Sequence, residues 1–120
     1  MKKVLIVDKE SSIRKLAAAG LRKSQVTILE ADSGGQAMAI VDKEPPDLVL
    51  MDYYLSCRDL DGREMVRRLK DNPRTADCPV LLIASTRSSV TCTNFEPAGV
   101  VEKPFSPIDL RKQIEVLLAI

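Results

Sequence analysis

Apolar residues in this chain come in short unbroken runs, separated by stretches in which they recur every three or four positions. Val4-Leu5-Ile6-Val7 is the first run. It is rich in β-branched residues and reads as a strand covered on both faces, the kind found in parallel sheets. Behind it, Ile13, Leu16, Ala17 and Leu21 fall at helical spacing, with Arg14, Lys15, Arg22 and Lys23 on other faces. The alternation then repeats. Val26 to Ala31 reads as a strand, Gln36 to Asp42 as a helix after Ser33-Gly34-Gly35, and Asp47 to Met51 as a buried strand after Pro45-Pro46. A helix from about Gly62 to Lys70 carries Met65, Val66 and Leu69 as its apolar stripe and is stopped by Asn72-Pro73. Pro79 to Ile83 is a fourth strand and Gly99-Val100-Val101 a short fifth. Ser106-Pro107-Ile108-Asp109 combines an N-cap hydroxyl, a proline at the first helical position and an acid in the first turn, and the apolar set Ile108, Ile114, Leu117 and Leu118 follows.

One unit breaks the pattern. Thr86 to Pro97, where a fourth helix belongs, is rich in Ser, Thr and Val without a clean apolar stripe, which predicts a short or irregular segment. The rest predicts an α/β fold, a parallel sheet with right-handed crossovers and helices on both faces, in one domain spanning residues 1–120. In such sheets ligands lie outside the carboxyl ends of the strands. The residues just past those ends are Asp8, Asp52, Ala84-Ser85-Thr86 and Lys103.

Composition narrows the function classes. With 18 Lys plus Arg against 17 Asp plus Glu, no bulk field steers the chain onto nucleic acid or an anionic membrane, so function is expected in a local site. The absence of histidine removes the commonest general base and any Ser/His/Asp arrangement. Cys57, Cys78 and Cys92 lack metal-ligand spacing and read as unpaired thiols in a reducing compartment. No apolar run approaches the roughly 20 residues that span a bilayer, and a cytoplasmic location is expected.

Four stretches carry a resemblance: "LIVD" ending at Asp8, "PDLVLMD" ending at Asp52, "PVLLIAS" on the fourth strand, and "EKPFSPIDL" with Lys103-Pro104. In this order and near this spacing they resemble a response-regulator receiver domain, the phospho-accepting module of two-component signalling, over essentially the whole length. The resemblance implies a flavodoxin-like doubly wound sheet of strand order 2-1-3-4-5. It implies that Asp52 accepts a phosphoryl group from a histidine kinase or phosphotransfer protein, that Lys103 contacts the phosphoryl oxygens, and that Asp8, its acidic neighbour and Asp52 hold Mg²⁺. The Lys103-Pro104 bond is cis in family members. A carboxylate attacking phosphorus approaches an anion, so cations are needed to cancel repulsion and to stabilise the equatorial oxygens.

The chain departs from the family at four places around this site. The acid that usually follows the first-strand Asp is Lys9. Asp8 and Asp52 against Lys103 and Lys9 sum to zero formal charge, which weakens the attraction for a divalent cation. Either Lys9 points outward and Glu10 reaches round as a substitute ligand, or the Lys9 ammonium turns inward and pairs with Asp52. The hydroxyl expected after the fourth strand aligns with Ala84, leaving Ser85 or Thr86 to replace it through a shift in register. Asp52 to Gly62, "DYYLSCRDLDG", is a longer loop than usual, with Ser56 in place of its customary proline. Val100 stands where an aromatic switch residue is common.

Two functions follow. The first is a phospho-accepting switch with a weakened Mg²⁺ site that alters affinity for a downstream protein or a fused effector. The second is a pseudo-receiver, an interaction module acting without phosphorylation. Either is a signalling module rather than an enzyme, with no direct nucleic-acid or membrane partner. No effector segment follows about residue 118, so the chain reads as a stand-alone regulator or a piece of a longer one. A nucleotide-binding α/β domain would want a phosphate cradle after the first strand, where "DKESS" begins with an acid. A dehalogenase-type phosphatase would want a second Asp where Tyr54 stands.

Overall fold

The computed structural model describes residues 1–91 and 95–120. Five strands, β1 (Lys2–Val7), β2 (Val26–Ala31), β3 (Leu48–Asp52), β4 (Val80–Ala84) and β5 (Gly99–Glu102), form one parallel sheet in the order β2-β1-β3-β4-β5. The helices are α1 (Ser11–Leu21), α2 (Gly34–Lys43), α3 (Tyr53–Cys57), α4 (Leu60–Asp71) and α5 (Pro107–Leu118). The parallel sheet expected from the alternating pattern is observed, and so is the flavodoxin-like strand order 2-1-3-4-5 that the family resemblance implies.

Successive strand residues face opposite sides of a sheet, so the unbroken apolar runs fill two cores at once. Val4, Ile6, Leu48, Leu50, Leu81 and Ile83 pack beneath α1 and α5. Leu5, Val7, Val49, Met51, Val80 and Leu82 pack beneath α2, α3 and α4. The apolar side chains of β1, β3 and β4 are buried, each large one worth about 1.5–3 kcal/mol in transfer from water. On the first face the helices dock through rows spaced by four: Ala17 and Leu21 on α1, and Leu110, Ile114 and Leu118 on α5. Leu16 and Ile108, expected inside, lie off those rows and stay exposed, and Leu110 takes the place anticipated for Ile108.

The segment expected as a long loop, Asp52 to Gly62, is instead helical. Asp52 caps α3 by accepting a hydrogen bond from Leu55 N–H at 3.2 Å, and Asp59 caps α4 by accepting from Gly62 N–H at 2.9 Å. Ser56 is compatible with this where the customary proline is not, because a proline in the interior of a turn removes an amide donor. Leu55, Ser56 and Cys57 turn inward and are buried. A Cβ on Gly62 would run into the carbonyl oxygen of Leu55, and one on Gly34 into the backbone of Asp61, so glycine permits the close approach of α3 and α2 to the start of α4.

After β4 the described residues contain one 3-10 turn, Arg87–Ser89, in place of a fourth crossover helix. This agrees with the missing apolar stripe. Cys92, Thr93 and Asn94 belong to the same stretch and lie outside the described residues. Among the described residues no helix is long and apolar enough to cross a membrane, and Cys57 and Cys78 are unpaired and buried.

Candidate functional site

The carboxyl ends of β1, β3 and β5 bring Asp8, Asp52 and Lys103 together. Register sets their levels: Val7 pairs with Met51, which puts Asp8 level with Asp52, while Asp52 pairs with Ile83 and Ile83 with Val101, so Lys103 starts two residues further along and reaches Asp52 through its long side chain. The Lys103 ammonium lies 3.5 Å from Asp52 Oδ1, with both side chains partly shielded from solvent. Lys103 N–H also donates to the Ala84 carbonyl at 2.9 Å, fixing the turn that follows β5, and the Lys103-Pro104 bond is cis. Asp52 thus uses both oxygens, one toward Lys103 and one as the cap of α3.

Asp8 is only 2 % exposed. Its Oδ1 accepts from Glu10 N–H at 2.9 Å, while Oδ2 is buried with no hydrogen-bond partner among the described residues. Burial pushes the Asp8 carboxyl above its usual range; the Glu10 hydrogen bond and the Lys103 charge oppose this, and the charges of Asp52 and Glu10 reinforce it. A buried carboxylate oxygen without a donor is costly, and a bound cation is one way to relieve it.

The expected positions of the remaining candidates divide. Lys9 is exposed and makes no hydrogen bond or ion pair among the described residues, so the inward geometry with Lys9 on Asp52 is not adopted; Lys103 occupies that role. Glu10 is also exposed, contributing its amide rather than its carboxylate, and among the described residues no three acidic, Cys or His side chains gather to hold a metal. Ala84 is buried at the end of β4, whereas Ser85 and Thr86 are exposed, and Thr86 Oγ1 accepts from Ser89 N–H as the cap of the 3-10 turn. Neither hydroxyl takes the place of Ala84. Val100 is buried in β5.

Two contacts escaped the sequence. Arg14, read there only as part of the polar face of α1, donates from Nη1 to the Asp8 carbonyl at 2.6 Å and lies 3.4 Å from Glu30 through Nε. Tyr53, next to Asp52, accepts at its hydroxyl from Thr91 N–H at 3.1 Å, tying α3 to the segment after β4. No periodicity marks either residue, because each meets backbone outside its own helix, Arg14 six residues back and Tyr53 thirty-eight residues on.

Mg²⁺ is commonly bound through one or two carboxylates while keeping several waters. Asp8, with its unpartnered Oδ2, and Asp52 supply such a donor pair, and with Lys9 turned away the cleft retains a net negative charge from these two acids against Lys103. The residues fit the cation with two carboxylate ligands rather than three.

A family model for the response regulator receiver domain matches residues 4–115. The chain belongs to this family. Among curated relatives it is 32 % identical over 120 residues to the phosphate regulon transcriptional regulatory protein PhoB of Pseudomonas aeruginosa, covering 98 % of this chain and 52 % of that protein. It is 27 % identical over 113 residues to the two-component response regulator ORR5 of rice, covering 91 % of this chain and 83 % of that one. Among solved structures, NtrX of Brucella abortus aligns with a TM-score of 0.81 at 26 % identity, over 99 % of this receiver and 27 % of NtrX. The chemotaxis response regulator CheY4 of Vibrio cholerae shares the fold with a TM-score of 0.80 at 24 % identity, over 98 % of each chain. The receiver spans about half the length of PhoB.

Proposed function

We propose that this receiver is a phosphorylation-dependent switch in which Asp52 accepts a phosphoryl group from the phosphohistidine of a kinase or phosphotransfer protein. One Asp52 carboxylate oxygen forms the new bond to phosphorus; the P–N bond to the donor imidazole breaks, its electron pair stays on nitrogen, and the transferred phosphoryl group ends as an acyl phosphate. The observation that carries this reading is the 3.5 Å Asp52–Lys103 pair beside the unpartnered Oδ2 of Asp8. Lys103 neutralises charge on the transferring group and orients it. Asp8 and Asp52 would hold Mg²⁺, which supplies further neutralisation at the phosphoryl oxygens when bound. The output is altered affinity for a downstream protein or a fused effector.

The test is intact-mass analysis after incubation with Mg²⁺ and acetyl phosphate. One phosphoryl adduct is expected on the wild type and none on Asp52→Ala. No adduct on the wild type, together with no amide-shift response to Mg²⁺, sinks the reading. It would leave the pseudo-receiver, an interaction module that signals unphosphorylated, which the buried Ala84 in place of a switch hydroxyl favours.

A further inference from the structure

Every polar group of Asp8 but one is engaged. Its N–H donates to the Ala31 carbonyl at 3.1 Å, its Oδ1 accepts from Glu10 N–H at 2.9 Å, and its own carbonyl accepts from Arg14 Nη1 at 2.6 Å. Only Oδ2 remains, buried and without a partner among the described residues. Arg14 is itself anchored by Glu30 on β2, 3.4 Å from its Nε, and Glu30 pairs in register with Ile6 of β1. One guanidinium therefore joins α1, the end of β1 and β2.

We propose that Arg14 is a positioning residue for the Asp8 ligand, holding Oδ2 toward the cleft; this rests on the reading of Asp8 as a cation ligand. The carbonyl that Arg14 grips belongs to the peptide linking Asp8 to Lys9, so its hydrogen bond fixes the plane of that peptide. Through Lys9 alone this restrained peptide leads to Glu10, whose N–H holds Oδ1 in a local turn of the Asx type. With the backbone and Oδ1 both set, the second oxygen has no freedom to swing out to water. A planar guanidinium serves a carbonyl and a carboxylate at once through separate N–H groups, which a lysine ammonium on a flexible stem does less well. At 18 % side-chain exposure, Arg14 is far less solvated than a helix-surface cation whose only role is solubility. Residues that orient a ligand from behind commonly change metal affinity by 10–100-fold when removed.

The test uses the chain with Arg14→Met, Arg14→Lys and Glu30→Gln, read by ¹H–¹⁵N spectra and the Asp8 carboxyl ¹³C signal without metal, by Mg²⁺ titration, and by thermal melting. In Arg14→Met the Glu10 amide is expected to move upfield as its bond to Oδ1 loosens, and Mg²⁺ affinity to fall about tenfold. Arg14→Lys is expected to recover affinity to within roughly threefold of wild type, with Glu30→Gln between Met and wild type. A lowered melting temperature with unmoved Glu10 and Asp8 signals and unchanged Mg²⁺ affinity means that Arg14 only braces the fold, and overturns the proposal. Should Arg14→Met not fold, the same signals in the Lys and Gln variants decide. Wild type that takes no Mg²⁺ removes Asp8 as a ligand, while the metal-free spectra still decide whether Arg14 orients it.

Discussion

Replacing Asp8 by Asn is expected to stabilise the fold while removing a ligand from the site. The wild type buries Asp8 Oδ2 without a partner among the described residues and within the field of the Asp52 carboxylate, and its carboxyl is raised above the ordinary value of 3.8, with burial the largest cause. An unsatisfied buried group of this kind costs about 1–3 kcal/mol, more when charged. Asparagine keeps the Oδ1 acceptor for Glu10 N–H and removes the charge, so a gain of about 1–2 kcal/mol is expected at pH 7, or a rise of roughly 4–8 °C in Tm. The sign of the pH dependence follows from the direction of the shift. Between the unfolded and the raised folded pKa the native state holds the extra proton, so wild-type stability falls as pH rises through that window. Below it Asp8 is protonated in both states and the gap between wild type and Asp8→Asn closes. The assay is urea unfolding followed by circular dichroism at pH 7 and near pH 3.5, without and with Mg²⁺. Mg²⁺ should stabilise the wild type by mass action and leave the variant unmoved. A variant less stable than wild type at pH 7, or a gap independent of pH, refutes the account of Asp8 as a strained ligand.

Lys9→Asp exchanges an exposed cation at the cleft rim for an anion and should tighten Mg²⁺ binding by roughly 1 kcal/mol, about fivefold, at low salt, with the gain shrinking as salt is added. Titration calorimetry at two ionic strengths checks this. Asp52→Ala and Asp52→Asn both lose the phosphoryl adduct in mass spectra, but only the alanine loses the cap of α3; it should melt as if about 1 kcal/mol less stable than the asparagine. Gly62→Ala forces a Cβ into the Leu55 carbonyl and should cost about 1–3 kcal/mol or more in urea unfolding, whereas Gly35→Ala, whose Cβ would stand 3.4 Å from Asp61 Oδ2, should be neutral or mildly stabilising.

The sheet was legible because fully buried parallel strands leave unbroken apolar runs, and Val4–Val7 or Leu48–Met51 can hardly be read otherwise. That the described residues after β4 hold a 3-10 turn and no α-helix before β5 was legible for the converse reason, since the sequence between Thr86 and Pro97 has no apolar stripe to fold a helix around. Asp52 and Lys103 could be placed at one edge from topology alone, and their meeting follows from register and the reach of the Lys103 side chain. What stayed hidden was set by contacts across the fold. Capping by Asp52 and Asp59 turned a presumed loop into α3 and the start of α4, and the absence of proline was the single local hint. Leu16 and Ile108 match the helical period but miss the four-residue row that meets the sheet. The direction of Lys9 was undecidable from charge counting, because Lys103 reaches Asp52 from another strand.

The capping of α3 gives the phosphorylation chemistry a mechanical reading. The carboxylate that would be phosphorylated is also the anchor of a helix about one and a half turns long, whose first side chain, Tyr53, grips the backbone at Thr91. Bonding one oxygen to phosphorus turns a shared anion into a neutral carbonyl and a phosphate, so the amide of Leu55 must find its acceptor in a changed group. Reaction and local folding then draw on the same two oxygens, and neither can proceed without being felt by the other. With Ala84 and Val100 at the positions where a hydroxyl and an aromatic ring were expected, the proposed mark and the helix that would respond to it lie within a single turn of backbone.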